Sequence, residues 1–378
     1  MKKSPSSLVL WLSVTLFAGQ AATITAAESV QVSPEIRDKT QLGASKRLLA
    51  QDLSRQYSKV SSVLRHEITE YNLKINIEQL QNSQLINSTQ LQQSDLAIKS
   101  AKGLEYVAEP LLDLRLADKS MLANWQAGES PLFAFAPDGN DTHWDYIEAF
   151  DIQGNIELLD VYTLPERPVF VVGIDSKRAL AEGIKVMRAA FSTNNDIKKS
   201  AARATLANAS ASLLSTVDDG SISTTLIKEI RLNDDQEPWI LGKAEIYGIV
   251  NGVNPTRDEP VLDIVEMPYL DHDNTTYSPN QVAIHWERYR WTAADLILME
   301  HDDGTNYKTL AAALLEAATA IMRLIPDPAV QGYSIIPQIT NGIISAMPDA
   351  WFTNDDDYVD VYYTLLEGHT YNNHQGAG

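Results

Sequence analysis

The chain has 378 residues, more than one small module needs, and this length indicates about two domains. Hydrophobic residues make up 44% and charged residues 21%, as in ordinary globular proteins, so wholesale disorder and fibrous repeats are excluded. The 50 acidic and 30 basic side chains give a formal net charge of −20, and a surface of that sign repels phosphate. We therefore expect no nucleic-acid partner, and anionic lipid only through a bridging cation.

The first residues resemble a secretory signal peptide, which we assign to residues 1–27. The pair Lys2-Lys3 precedes a mostly apolar run from Ser7 to Ala18, and small residues follow it. We expect cleavage near Ala27–Glu28, with Ala22–Thr23 as the alternative. The run is shorter than the roughly 20 residues a membrane span needs. The mature chain is therefore expected to be periplasmic or secreted, without a transmembrane segment.

The sequence contains no cysteine. This excludes disulfide bonds, zinc sites built on thiolates and a cysteine nucleophile. An exported chain without disulfides must be held together by the burial of its core, by a bound metal, or by both.

We assign residues 28–191 to a first domain, in which helices precede a small β-rich part. Between Ser33 and Gln81 apolar residues recur at helical spacing, which predicts one or two amphipathic helices. The polar stretch Asn82–Lys102 predicts a loop or a short helix. Beyond Glu105, short apolar runs bounded by turn residues predict strands. These runs are Pro131–Pro137, Tyr146–Asp151, Ile156–Val161 and Pro168–Ile174, followed by a helix-like segment, Ala179–Phe191.

Residues 192–223 are predicted to link two domains. They are poor in aromatic residues and rich in Ala, Ser, Asn, Thr and Asp, although the alanines could make part of the segment helical.

Residues 224–378 are assigned to a second, acidic domain of strands with two inserted helices. The predicted strands are Leu226–Leu232, Ala244–Val250, Val261–Val265, Gln281–Trp286, Ala294–Glu300 and Tyr358–Leu366. The predicted helices are Lys308–Ile325 and a weaker one, Tyr333–Met347, interrupted by Pro337. The fold class expected for the whole chain is α+β: N-terminal helices with a small β-rich domain, then a C-terminal β-sandwich of the C2 type.

Most of the negative charge lies in this second domain. The segment from Leu226 to Gly378 holds 24 acidic and only 8 basic residues, so it carries 16 of the 20 net negative charges. The acids are bunched next to predicted strand ends, in the runs Asn233–Glu237, Asp271–Asn274, Glu300–Asp303 and Asn354–Asp357.

Acidic runs at strand ends could converge on one rim of a sandwich. Carboxylates brought together repel one another unless a cation lies among them. Ca²⁺ suits such a rim because it takes six to eight oxygen ligands from flexible loops. The sequence therefore predicts a calcium-dependent binding or adhesion module. The predicted ligands are Asp271, Asp273, Asp302, Asp303, Asp355 and Asp357.

Two other hypotheses remain open. His272 and His301 lie inside acidic runs, so with Glu300 and neighbouring aspartates they could hold Zn²⁺ in a metal-dependent hydrolase. Their spacing matches no hydrolase motif, and no catalytic residue is assigned. Alternatively, the acids are solvated turn residues of an acidic structural protein without a metal.

Aromatic residues lie near these acids in the sequence, where they could form strand cores or a carbohydrate-binding face. They are Trp286, Tyr289, Trp291, Trp351, Tyr358, Tyr362 and Tyr363. The expected partner is an extracellular or periplasmic ligand, either a carbohydrate or a protein.

Several longer phrases resemble a known family. They include Leu132–Asp141, Asn251–Pro255, Met299–Tyr307 and Trp351–Asp360, together with Leu164–Val169 and Met267–Asp271. From about Leu112 to its end the chain resembles the exported proteobacterial proteins grouped as domain of unknown function family 3103. The resemblance implies a periplasmic or secreted location and carries no catalytic residue over.

Overall fold

The computed structural model describes residues 34–82, 88–139, 141–206, 222–233, 238–301, 304–347 and 359–376. The predicted signal peptide and residues 207–221 of the predicted linker lie outside these ranges. The residues from Pro34 onward form one unit. Among the described helices none alone is long and apolar enough to cross a membrane.

The helices of the described residues lie in three groups along the chain. The first is α1 (Pro34–Arg55), α2 (Tyr57–Glu67), α3 (Ile77–Asn82), α4 (Ser88–Ala101) and the short α5 (Leu122–Gln126). A long helix, α6 (Ser176–Leu206), follows the first sheet, and α7 (Tyr307–Leu324), α8 (Pro328–Gln331) and α9 (Ile336–Ala346) come last.

The first sheet has six strands in the order β1-β2-β6-β3-β4-β5. Its strands are β1 (Lys74–Asn76), β2 (Leu112–Leu116), β3 (Leu132–Phe135), β4 (Ile147–Phe150), β5 (Ile156–Leu159) and β6 (Val169–Ile174). Neighbouring strands are antiparallel except β3 and β6, which run parallel. The predicted turn between β4 and β5 is present, and its backbone N–H groups at Gln153 and Asn155 donate to the Asp151 carboxylate at 2.9 and 2.8 Å.

Helix α1 packs across this sheet. Leu49 and Leu53 are fully buried beneath it, and aromatic rings complete the core. Phe170 packs edge-on to Trp125 with ring centroids 5.1 Å apart and stacks on Phe133 at 5.7 Å. The Trp125 indole N–H donates to the Tyr57 hydroxyl at 2.9 Å, which satisfies the polar atom of a fully buried side chain.

The second sheet has four antiparallel strands in the order β12-β11-β8-β9. They are β8 (Ile246–Val253), β9 (Pro260–Glu266), β11 (Ala293–Glu300) and β12 (Asp360–Leu366). A two-stranded ribbon pairs β7 (Thr224–Ile227) with β10 (Gln281–His285). Every residue of β8 and β11 is buried, so the second sheet is covered on both faces.

Two hydrophobic clusters account for this burial. The main cluster takes residues from both sheets and from the late helices, for example Phe170, Ile297 and Ile339. The other cluster, which includes Val250 and Trp286, lies on the opposite face of the second sheet. One sheet face therefore meets helices and the other meets the small ribbon and its loops.

The mixed α+β class is confirmed, but the C2-type sandwich is not. The sheets are open, and α7 and α9 provide a layer where a sandwich would have a second full sheet. Two local differences also appear. Helix α6 runs through the start of the predicted linker to Leu206, as its alanine content allows, and Pro337 lies in the first turn of α9, where its missing N–H costs nothing.

Candidate functional site

Three of the four acidic runs, Asp271–Asn274, Glu300–Asp303 and Asn354–Asp357, adjoin strand ends at one end of the second sheet. The fourth, Asn233–Glu237, follows the predicted strand Leu226–Leu232, and β7 at its start belongs to the ribbon. Strands β8 and β12 begin at this end of the second sheet, and β9 and β11 finish there, because neighbouring strands are antiparallel. The paired residues nearest this end are Ile246 with Glu300, Tyr247 with Glu266 and Leu298 with Asp360. We call this end of the sheet the acidic end, defined by Ile246, Glu266, Glu300 and Asp360.

Four of the six predicted calcium ligands lie outside the described residues. Asp302 and Asp303 follow Glu300 in the chain, and Asp355 and Asp357 precede Asp360. The two others, Asp271 and Asp273, follow β9 and are described.

Asp271 is held by cations of the chain itself. Its Oδ2 lies 3.0 Å from the Lys243 Nζ and 4.0 Å from the Lys177 Nζ, and its Oδ1 accepts the Tyr277 hydroxyl at 3.0 Å. Burial opposes ionisation of this carboxyl, but the hydrogen bonds from Lys243 and Tyr277 outweigh it and lower its pKa. Asp271 therefore needs no external cation to remain charged.

Asp273 lies in the turn that follows. Its Oδ2 accepts the Asn274 side-chain amide at 2.8 Å, and its backbone bridges to Leu232. Asn274 has a positive φ of 50°, a conformation that Asn tolerates better than most residues. These features are typical of a turn, and Asp273 is partly exposed at the surface.

His301 is buried at the acidic end, beside the equally buried Glu300. Its Nδ1 lies 2.7 Å from the Tyr307 hydroxyl, and the two rings stack with their planes 20° apart. The backbone N–H of His301 donates to the Glu245 carbonyl at 2.9 Å, which continues the ladder between β11 and β8. The Glu245 carboxylate accepts a hydrogen bond from the Ser176 hydroxyl at 2.8 Å, and this bond connects the first turn of α6 to the acidic end.

Tyr307 is held from three sides. It is the first residue of α7, and its backbone N–H donates to the Lys102 carbonyl at 3.1 Å. Asn306 caps α7 by accepting the Thr309 N–H at 3.1 Å. The ring lies against α6 at Gly183, where a Cβ atom would overlap three ring atoms. The position of the His301–Tyr307 pair is therefore fixed by α4, α6 and α7 together.

His272 does not share this environment. It is exposed in the turn that carries Asp271, whereas His301 is buried. Within the ranges that the structure describes, no three His, Asp or Glu side chains come together as ligands for a metal ion.

Other acids near the second sheet are paired with arginines. Asp263 lies 2.6 Å from Arg288, and Glu266 lies 2.6 Å from Arg188. Two predicted aromatic candidates for a carbohydrate face, Trp286 and Tyr289, are buried core residues. Trp351 and Tyr358 lie outside the described residues.

Asp295, which is fully buried in the middle of β11, is not among the site residues predicted from the sequence. Its signal was present in the sequence as an acid inside the otherwise apolar run Ala293–Met299.

A family model described as "Protein of unknown function (DUF3103)" matches residues 46–378. The match begins well before Leu112, where the resemblance described above begins. No curated protein and no solved structure matches the chain significantly.

Proposed function

The chain belongs to this family of unknown function, DUF3103, and we propose that it is an exported protein that binds a divalent cation, with Ca²⁺ preferred, at the acidic end of its second sheet. Its role would be binding or adhesion toward a carbohydrate or protein ligand outside the cytoplasm. The observation that supports the proposal is the common position of three strand ends, those of β9, β11 and β12, that acidic runs adjoin.

The charge balance near this end favours an oxygen-rich cation site over a thiolate or imidazole site. The chain has no cysteine, and its C-terminal part has three times as many acids as bases. Because Lys243 already neutralises Asp271, the proposed ligands are Asp302, Asp303, Asp355 and Asp357, with Asp273 at the margin and Asp271 in a supporting role.

Calorimetric titration of the purified protein with CaCl₂, and separately with MgCl₂, tests the proposal. We expect heat of binding with Ca²⁺ and a melting temperature that EDTA lowers. Asp302→Asn/Asp303→Asn and Asp355→Asn/Asp357→Asn should each weaken Ca²⁺ binding at least tenfold, about 1.4 kcal/mol.

The matched control is Glu129→Gln/Glu166→Gln, which removes the same two charges from exposed side chains of the first sheet region. It should leave Ca²⁺ affinity unchanged. Equal weakening by all three pairs would show only a general electrostatic effect, and a protein that gives no heat and no EDTA response would refute the proposal. Higher stability of the acidic-end variants without any binding would favour the acidic structural protein.

A zinc-dependent hydrolase is the second candidate, because His301 and Glu300 are both buried at the same end. The Nδ1 atom of His301 is engaged by Tyr307, so a metal there would have to bind through Nε2. Elemental analysis of the purified wild type and of His301→Gln distinguishes the two candidates. Stoichiometric zinc in the wild type that is missing from the variant would favour the zinc hydrolase over the calcium-binding protein.

A further inference from the structure

Asp295 holds a buried polar junction between α9 and the second sheet. Its Oδ2 accepts the Thr340 hydroxyl at 2.5 Å, and its Oδ1 accepts the backbone N–H of Thr364 at 2.7 Å. The pairing of β11 with β12 shifts between Ala294 and Leu296, which is a β-bulge, and Thr364 lies in it with a φ of 55°. The bulge thus turns a ladder N–H toward the carboxylate.

Asn251 lies directly opposite Asp295 in the pairing of β8 with β11. Its side-chain amide donates to the Thr340 hydroxyl oxygen at 2.6 Å, and its Oδ1 is buried with no hydrogen-bond donor among the described residues. Thr340 is therefore the hub of the junction. Its hydroxyl also has a second acceptor in reach, the Ile336 carbonyl oxygen at 3.2 Å.

Among the residues that the structure describes, strands β8, β11 and β12 and helix α9, which pack around this carboxyl, contain no Lys, Arg or His. Strand β8 and helix α9 contain no charged residue, and the other acids of β11 and β12, Glu300 and Asp360, lie at the acidic end. The titratable neighbour is Tyr363 of β12, whose hydroxyl donates to Asn341 of α9 at 2.6 Å. Its pKa is raised by burial and by the charge of Asp295.

An isolated carboxylate in such a place is costly, and the neutral form is favoured. Burial raises the pKa of Asp295 to about 6, although the hydrogen bonds from Thr340 and Thr364 act in the opposite direction.

We propose that Asp295 is a proton-binding site that latches α9 and the bulge of β12 onto the second sheet. When the carboxyl takes a proton from solvent, its O–H donates to the Thr340 oxygen, and the Thr340 hydroxyl turns to the Ile336 carbonyl. Asn251 and Thr364 keep their hydrogen bonds, so every new donor finds an acceptor already in place. When the proton leaves, a negative charge without a cation partner on the surrounding elements remains in the core, and the latch is weaker.

Urea unfolding of the full chain between pH 4.5 and 7.5, with Asp295→Asn as the variant, tests whether protonation of Asp295 stabilises the fold. The carboxyl of Asp295 has a higher pKa folded than unfolded, so its contribution is greatest at low pH and is lost as pH rises through about 6. Relative to Asp295→Asn, the wild-type unfolding equilibrium constant should increase about a hundredfold from below pH 4 to above pH 7, most of it inside this window. Parallel pH curves for the two proteins would overturn the proposal.

Asp258→Asn is the matched control, because it removes one aspartate charge at an exposed ion pair with Arg290. It should keep the wild-type pH dependence. If Asp295→Asn fails to fold, a ¹³C-carboxyl NMR titration of the wild type still decides: a pKa for Asp295 near 6 supports the latch, and one at or below 4 refutes it. Thr340→Val removes a donor to the ionised form, so it should raise that pKa further.

Hydrogen exchange tests whether protonation of Asp295 holds α9 and the bulge of β12 against the second sheet. After correction for intrinsic rates, amides of α9 and of the bulge at Thr364 should exchange faster at pH 7.5 than at pH 5, and Asp295→Asn should remove this difference. Exchange that depends on pH equally in both proteins would show that Asp295 titrates without acting as a latch.

Discussion

Replacing Gly183 with alanine gives a sharp test of how the His301–Tyr307 pair is positioned. A Cβ at this position would overlap the Cζ, Cε1 and Cε2 atoms of Tyr307, and such atoms essentially never approach closer than 3.0 Å. The ring is fully buried and its hydroxyl is bound to His301, so it has no room to yield. Overpacking of this kind costs about 3 kcal/mol at the upper end of its range.

Alanine also has a higher helix propensity than glycine, by about 1 kcal/mol. The expected net result for Gly183→Ala is therefore a loss of about 2 kcal/mol of unfolding free energy, measured by urea denaturation. Ala181→Gly, at an exposed position two residues earlier in α6, isolates the propensity term and should lose about 1 kcal/mol. If Gly183→Ala were as stable as the wild type or more so, the close approach of α6 to Tyr307 would be wrong.

Two further predictions concern hydrogen bonds, one beside each of the two larger sheets. Asp271→Asn should lose about 1 kcal/mol at pH 7, because its pairing with Lys243 and Tyr277 is broken. Since these partners lower the pKa of Asp271, the difference from wild type should shrink as pH falls below the usual aspartate range and through this lowered pKa. A difference that does not shrink at all on acidification would contradict it. Trp125→Phe should lose about 2–4 kcal/mol in urea denaturation, because it leaves a cavity and removes the donor to Tyr57, while Tyr57→Phe should lose only about 1 kcal/mol.

Strongly apolar segments were predictable from the sequence. The run at β3 and the helix α7 were both found within about two residues, because apolar runs bounded by proline admit few alternatives. The six-stranded order of the first sheet was not predictable, since the parallel pairing of β3 with β6 joins strands separated by a hairpin. Strand β1 has only three residues and gives almost no pattern.

Helix α4 shows why a polar segment was harder to interpret. Ser88–Ala101 is rich in Gln and Ser, so the sequence favoured a loop or short helix, yet Leu91 and Ile98 are buried on one face. Asp95 accepts backbone N–H groups of Leu111 and Leu112 at 2.6 and 3.0 Å. This helix is stabilised by partners distant in sequence, and local pattern cannot reveal those.

The acidic residues of this chain fall into two kinds. From the sequence alone, all acidic residues of the C-terminal part look alike, and their number predicts a cation-binding site. In the folded chain, Asp263 and Asp271 have cations supplied from residues 25 and 28 positions away, whereas Asp295 has none on the elements around it. Acid density alone is therefore weak grounds for a metal site, because distant arginines and lysines satisfy it. Burial without a counter-ion, as at Asp295, is the more specific signal, because it favours the protonated form of the carboxyl.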